Sequence, residues 1–123
     1  MAKCFLALSG LFGFFSVALG AFGAHALKEK LDAYQMGVFK TGVEYQFFHA
    51  LAIALVGVLL LRGESTLLKS SGYAFIFGVL VFSGSLYLLV FTGQRWWGAI
   101  TPIGGMSFLI AWALFALGCY RMS

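Results

Sequence analysis

The chain has 123 residues, of which 62% are hydrophobic, 18% aromatic and 10% charged, with a formal net charge of +4. Soluble domains average about 25% charged and about 45–50% apolar residues, and a domain of this size still leaves roughly a third of its unfolded surface in water. The composition therefore excludes a soluble enzyme, a free nucleic-acid binder and a disordered chain, which would need low hydrophobicity.

The charged residues are clustered, and the gaps between them have the length of membrane crossings. Cys4–Leu27, Tyr45–Leu61, Ser70–Gln94 and Trp96–Tyr120 contain no Asp, Glu, Lys or Arg. A helix needs roughly 20 residues, within a range of about 17–25, to cross a bilayer core. Four such stretches predict one domain with spans at about residues 4–27, 43–61, 70–92 and 101–120. Helices are the only solution, because four segments cannot close a barrel and an open sheet leaves unpaired backbone in lipid. The expected fold is an all-α, integral-membrane, antiparallel four-helix bundle.

The first span begins after Lys3 and ends at Ala24-His25-Ala26, which imitates a cleavable signal peptide. Its small residues argue for a retained packing helix. Ser9, Gly13, Ser16, Gly20 and Gly23 follow one another at spacings of 4, 3, 4 and 3, so they form a single stripe. In the following segment Leu27, Leu31, Tyr34 and Val38 repeat at helical spacing, with Lys28, Lys30, Asp32 and Gln35 mostly elsewhere on the wheel. This predicts a short amphipathic helix lying in the interface between the first and second spans.

The later spans carry similar seams. Ala50, Ala54 and Gly57 line the second; Ser71, Ala74, Gly78 and Ser85 the third; Gly104, Ser107, Ala111 and Gly118 the fourth. Between helices in lipid, close packing of small residues has to supply the association. Gly63 marks a helix stop after Arg62, and Trp96-Trp97 belong to an interfacial aromatic belt. Thr101-Pro102 reads as an N-cap followed by proline at the first helical position.

Four spans place both termini on one side, here face A. Face A carries Lys3, Arg62, Lys69 and Arg121; face B carries Lys28, Lys30, Lys40 and Arg95. The positive-inside count is tied, and the basic start before an apolar helix favours a cytoplasmic face A. Cys4 and Cys119 both lie at that face and read as small apolar fillers.

Polar side chains within the spans concentrate towards face B: His25, Glu44, Tyr45, Gln46, His49, Tyr87, Thr92 and Thr101. They predict a shared polar cap. Thr41-Gly42-Val43-Glu44 matches a capping box, which by itself accounts for Glu44. Three sharper readings compete: haem ligated by His25 and His49, zinc held by both with Glu44, and a solute or proton site in an oligomeric transporter. Proton-coupled export is demoted, because all four carboxylates read as lying in loops or at span ends. No Ser-His-Asp arrangement, H-x-x-E-H pattern or Cys-x-x-Cys pair occurs, so no catalytic residue, metal or cofactor is expected.

The motifs Gly20-Ala21-Phe22-Gly23-Ala24-His25, Tyr45-Gln46 followed by His49-Ala50-Leu51, Ser83-Gly84-Ser85-Leu86-Tyr87 and Thr101-Pro102-Ile103-Gly104-Gly105 occur in this order. They resemble the YgdD-like family of small, four-span bacterial inner-membrane proteins, domain of unknown function 423, with a mitochondrial-type eukaryotic relative. The resemblance covers essentially the full chain and implies a bacterial inner-membrane location. It also implies that His25, Tyr45, Gln46, His49, Ser85 and Thr101 belong to family motifs. The family has no established reaction, so the resemblance leaves activity open.

The reading that results is a non-enzymatic structural or membrane-homeostasis protein. Its polar site comprises His25, Glu44, Tyr45, Gln46, His49, Ser85 and Thr101, and its helix-packing residues are Gly13, Gly20, Gly23, Gly57, Gly78 and Gly104. Membrane lipids are the expected partners, the small-residue stripes leave a homo-oligomer open, and nucleic acid is excluded. The alternatives are a small transporter or channel subunit with its solute or proton site at His25, Gln46 and His49, or a haem- or quinone-binding redox protein.

Overall fold

Without water, each backbone N–H and C=O in the bilayer must be satisfied within its own segment, and this chain answers with four long helices. The computed structural model describes residues 1–122. The first helix spans Ala2–Leu27, the second Ala33–Leu60, the third Thr66–Thr92 and the fourth Arg95–Tyr120. At about 1.5 Å per residue each is about 40 Å long, enough to cross the roughly 30 Å hydrocarbon core. Short connections make successive helices antiparallel.

The first connection departs from the expected interfacial helix. Asp32 is an N-cap: its carboxylate accepts from the Gln35 amide at 2.7 Å, and the Gln35 side chain returns to the Asp32 amide at 3.2 Å. Two donors are thereby satisfied reciprocally at the start of the helix. No proline interrupts residues 33–60, so the segment around Tyr34 and Val38 is the opening of the second span and not a separate element. Leu27, Leu31 and Val38 pack around buried Phe39, Leu89 and Val90 instead of lying on a lipid surface.

The fourth helix also begins differently. Gly93 ends the third helix in the left-handed conformation at φ 73°, which glycine adopts without a Cβ penalty. A 3₁₀ turn, Arg95–Ala99, then leads directly into Thr101. Ile100, already in helical conformation, occupies the N-cap position. Thr101 is therefore the first residue of the helix rather than its cap, with Pro102 in the first turn as expected.

The second and third helices form the central pair, with the first and fourth outside them. The main core gathers Phe5, Ile53, Val56, Phe75 and Phe108 on the face A side, and the smaller Phe39 cluster closes the face B end. Phe22 and Leu109 are 75% and 66% exposed on the outer helices, where lipid is the solvent. Two π-helical segments, Ala18–Gly23 and Val79–Ser83, interrupt the first and third helices. Each widens the turn and redirects the residues beyond it.

The glycines divide by what they meet. A methyl at Gly20 would lie 3.1 Å from Val43, at Gly23 3.4 Å from Phe39, and at Gly57 2.8 Å from Leu6. Gly78 accommodates the Phe108 ring, and Gly104 lies against the backbone of Phe82. Gly13 has nothing within 4 Å of such a methyl. It is not in the seam, because at this level the contact runs through buried Ser16 and the carbonyl of Phe12. Ser16, Gly20 and Gly23 of the expected stripe do lie in the seam, whereas Gly13 does not.

Candidate functional site

The intramembrane polar groups are tied into interhelical joints rather than gathered in a cap. Gln46 and His49 lie six and nine residues inside Lys40 on the second helix, with Arg62 at its far end. His49 is thus about 14 Å from one basic residue and about 20 Å from the other along the axis, well within the hydrocarbon. Both side chains are 5% exposed.

Gln46 joins three helices. Its Nε2 donates to the Phe12 carbonyl at 2.9 Å, and its Oε1 accepts from the Tyr87 hydroxyl at 2.7 Å. Ser16 donates to the same Phe12 carbonyl at 2.7 Å. Tyr87 reaches Gln46 across Gly42, where a methyl would come within 2.9 Å of the tyrosine ring. Ser83, at the end of the third helix's π segment, donates to the Gly42 carbonyl at 2.7 Å.

His49 joins the second helix to the fourth. Its Nδ1 is 2.7 Å from the Tyr45 carbonyl, which can only accept; its Nε2 is 3.1 Å from the Trp112 indole N–H, which can only donate. The surroundings therefore select the neutral ring protonated at Nδ1. The imidazole stacks on Phe108 with centroids 3.7 Å apart, while Tyr45 stacks on Phe82 at 4.5 Å. With both nitrogens engaged, His49 has no lone pair available for a metal. Purified protein is accordingly expected to show no Soret absorbance after incubation with haemin; a Soret band lost in His49→Leu would overturn this assignment.

Ser85 and Thr101 make a separate joint between the third and fourth helices, with their hydroxyls 2.6 Å apart. Ser71 donates to the Ala111 carbonyl at 2.9 Å, and Ser107 donates to the Ala74 carbonyl at 2.7 Å, a reciprocal pair across the same interface.

Two residues of the expected polar site stand apart from these joints. His25 is exposed on the last turn of the first helix. Gly23, two residues before it, packs on Phe39, and Phe39 is ten residues, or about 15 Å, from His49 along the second helix. The histidines are thus at different depths, and the described residues contain no group of three or more His, Cys, Asp or Glu placed to hold a metal. Glu44 is not in a capping box. The chain is helical from Ala33, and the Thr41 hydroxyl donates back to the Gly37 carbonyl at 3.0 Å. Glu44 instead faces outward and lines a recess of about 240 Å³ with Ser16, Val17, Phe47 and Phe48. Glu44 thus lies within the second helix, one turn from Lys40 and towards its face B end.

Several joint residues escaped the sequence reading. Ser71 and Ser107 appear there only as small stripe residues, and Phe12 contributes a carbonyl that no side-chain pattern can mark. Trp112 carried a usable signal: Trp96 and Trp97 fit an interfacial belt, whereas Trp112 lies deep within a span.

A family model described as a protein of unknown function, DUF423, matches residues 19–105. The UPF0382 inner membrane protein YgdD of Escherichia coli K12 is 43% identical over 121 residues, covering 98% of this chain and 92% of the relative. The UPF0382 membrane protein of Haemophilus influenzae is 43% identical, with 98% and 97% covered. That of Staphylococcus saprophyticus is 37% identical, with 98% and 99% covered. No solved structure matches the chain. With the family model covering most of the length, similarity to these relatives end to end, and four helices able to span a bilayer, the chain is a multi-pass inner-membrane protein that belongs to the DUF423 family.

Proposed function

We propose that this protein is a structural, non-catalytic component of the membrane, a rigid four-helix body whose partners are lipids. The observation that carries the reading is the engagement of both ring nitrogens of His49 and both ends of the Gln46 amide within the bundle. A proton carrier or solute site needs groups that can exchange partners, whereas these hold neighbouring helices together. A lateral groove of about 270 Å³ between the first and third helices, lined by Phe12, Phe15, Leu19 and Leu80, presents apolar walls to the bilayer. It suits acyl chains.

Glu44 supports a second reading. Ionisable side chains within spans are costly and commonly mark ion or substrate pathways, and this one is outward-facing, one turn inside Lys40. A transporter built from several copies would enclose it.

Proton flux separates the two. In vesicles loaded with a pH-sensitive dye, wild type and Glu44→Gln are both expected to leak no faster than empty vesicles. Wild-type flux that Glu44→Gln abolishes, with helical content unchanged, would replace the structural reading with the transport one.

A further inference from the structure

A cavity of about 230 Å³ opens at face A between the second connection and the end of the fourth helix. Arg62, just beyond the second helix, and Arg121, capping the fourth, both line it. Ser65 contributes from the amino end of the third helix, where its hydroxyl caps the Leu68 amide at 3.2 Å. Leu68 lies beneath, against Gly118, where a methyl would meet it at 2.9 Å. Glu64 also borders the cavity, but its carboxylate is bound by Lys69 at 3.0 Å. Among the described residues neither arginine has an ionic partner.

Each arginine, taken singly, offsets the negative end of the helix it terminates. That role does not require both to border one opening beside the positive end of a third helix. We propose that this cavity binds the phosphate of an anionic lipid headgroup. Guanidinium groups match phosphate oxygens through paired N–H donors, and the leucine floor continues into the apolar bundle as a lipid continues into its chains. The volume lies below the roughly 300–1,000 Å³ of sites that enclose drug-sized ligands, which favours a headgroup over a larger solute. This goes beyond the structural reading and can fail without it.

Native mass spectrometry of the detergent-purified full chain tests the site, using phosphatidylglycerol, phosphatidylcholine and glycerol 3-phosphate as probes. Phosphatidylglycerol is expected to remain bound in preference to the other two. The double variant Arg62→Gln/Arg121→Gln should weaken its binding about tenfold or more, while Lys3→Gln, on the same face but outside the cavity, should leave it unchanged. Arg62→Lys/Arg121→Lys keeps the charges at the helix ends, so it should fold even if the glutamine variant does not. It is expected to bind several-fold more weakly than wild type, because lysine lacks the guanidinium fork. Equal retention of phosphatidylcholine, preference for glycerol 3-phosphate, wild-type affinity in the lysine variant, or an equal effect of Lys3→Gln would each overturn the proposal.

Discussion

Gly104→Ala is expected to destabilise the bundle by about 3 kcal/mol or more, at or above the upper end of the usual cost of overpacking. The added methyl would overlap the backbone nitrogen of Phe82 and lie 2.7 Å from both its Cα and Cβ. Backbone cannot swing aside as a side-chain tip can, so the third and fourth helices must separate. That would strain the Ser71–Ala111 and Ser107–Ala74 hydrogen bonds across the same interface. The helix-propensity gain of alanine over glycine is at most about 1 kcal/mol and cannot offset this. Gly13→Ala is the matched control, since its methyl meets nothing within 4 Å; it should be neutral or slightly stabilising. Unfolding in mixed detergent micelles measures both. Equal stability of Gly104→Ala and wild type would show that the seam is looser than its geometry.

The second large effect belongs to Gln46. Gln46→Leu removes the bonds to Phe12 and Tyr87 and leaves the tyrosine hydroxyl without its partner. Interhelical hydrogen bonds in membranes average about 0.6 kcal/mol and reach about 1.7, while an unsatisfied buried hydroxyl costs about 1–3 kcal/mol. A loss of about 2 kcal/mol is therefore expected. Adding Tyr87→Phe should recover part of it, because the orphaned hydroxyl disappears. The double-mutant cycle should give a coupling of about 0.5–2 kcal/mol, and additive losses would refute the joint. Gln46 is expected to have this effect because it ties the first, second and third helices at one point.

Much of the architecture was legible because the bilayer imposes a length and polarity that sequence records directly. The gaps between charged clusters locate all four helices. Their ends were less legible, because capping is a competition between nearby candidates. Thr41-Gly42-Val43-Glu44 has the right composition for a helix start, but a helix already under way from Ala33 makes it an interior segment. Thr101-Pro102 does open its helix, with the cap displaced by one residue to Ile100. Asp32 and Gln35 won the competition at the second helix, and their win moved Glu44 from a cap to an outward face. For the candidate site, polarity picked out Tyr45, Gln46, His49 and Thr101 as noteworthy, while Ser85 entered as a seam residue and through the family motif. Polarity could not distinguish a shared cap from separate joints at different depths.

The amino-acid sequence by itself determined that lipid is the main solvent, that four helices cross it, and that small residues must let them approach. These follow from composition and spacing along one dimension. Only the tertiary structure decided that Gly104 faces backbone while Gly13 faces open space, and that His49 uses both nitrogens. It also decided that Arg62 and Arg121 border the same cavity. Such properties depend on the rotation and depth of one helix against another. In this chain two π-helical turns, an early N-cap and a left-handed glycine set those relations, and none of them leaves a periodic mark in the sequence.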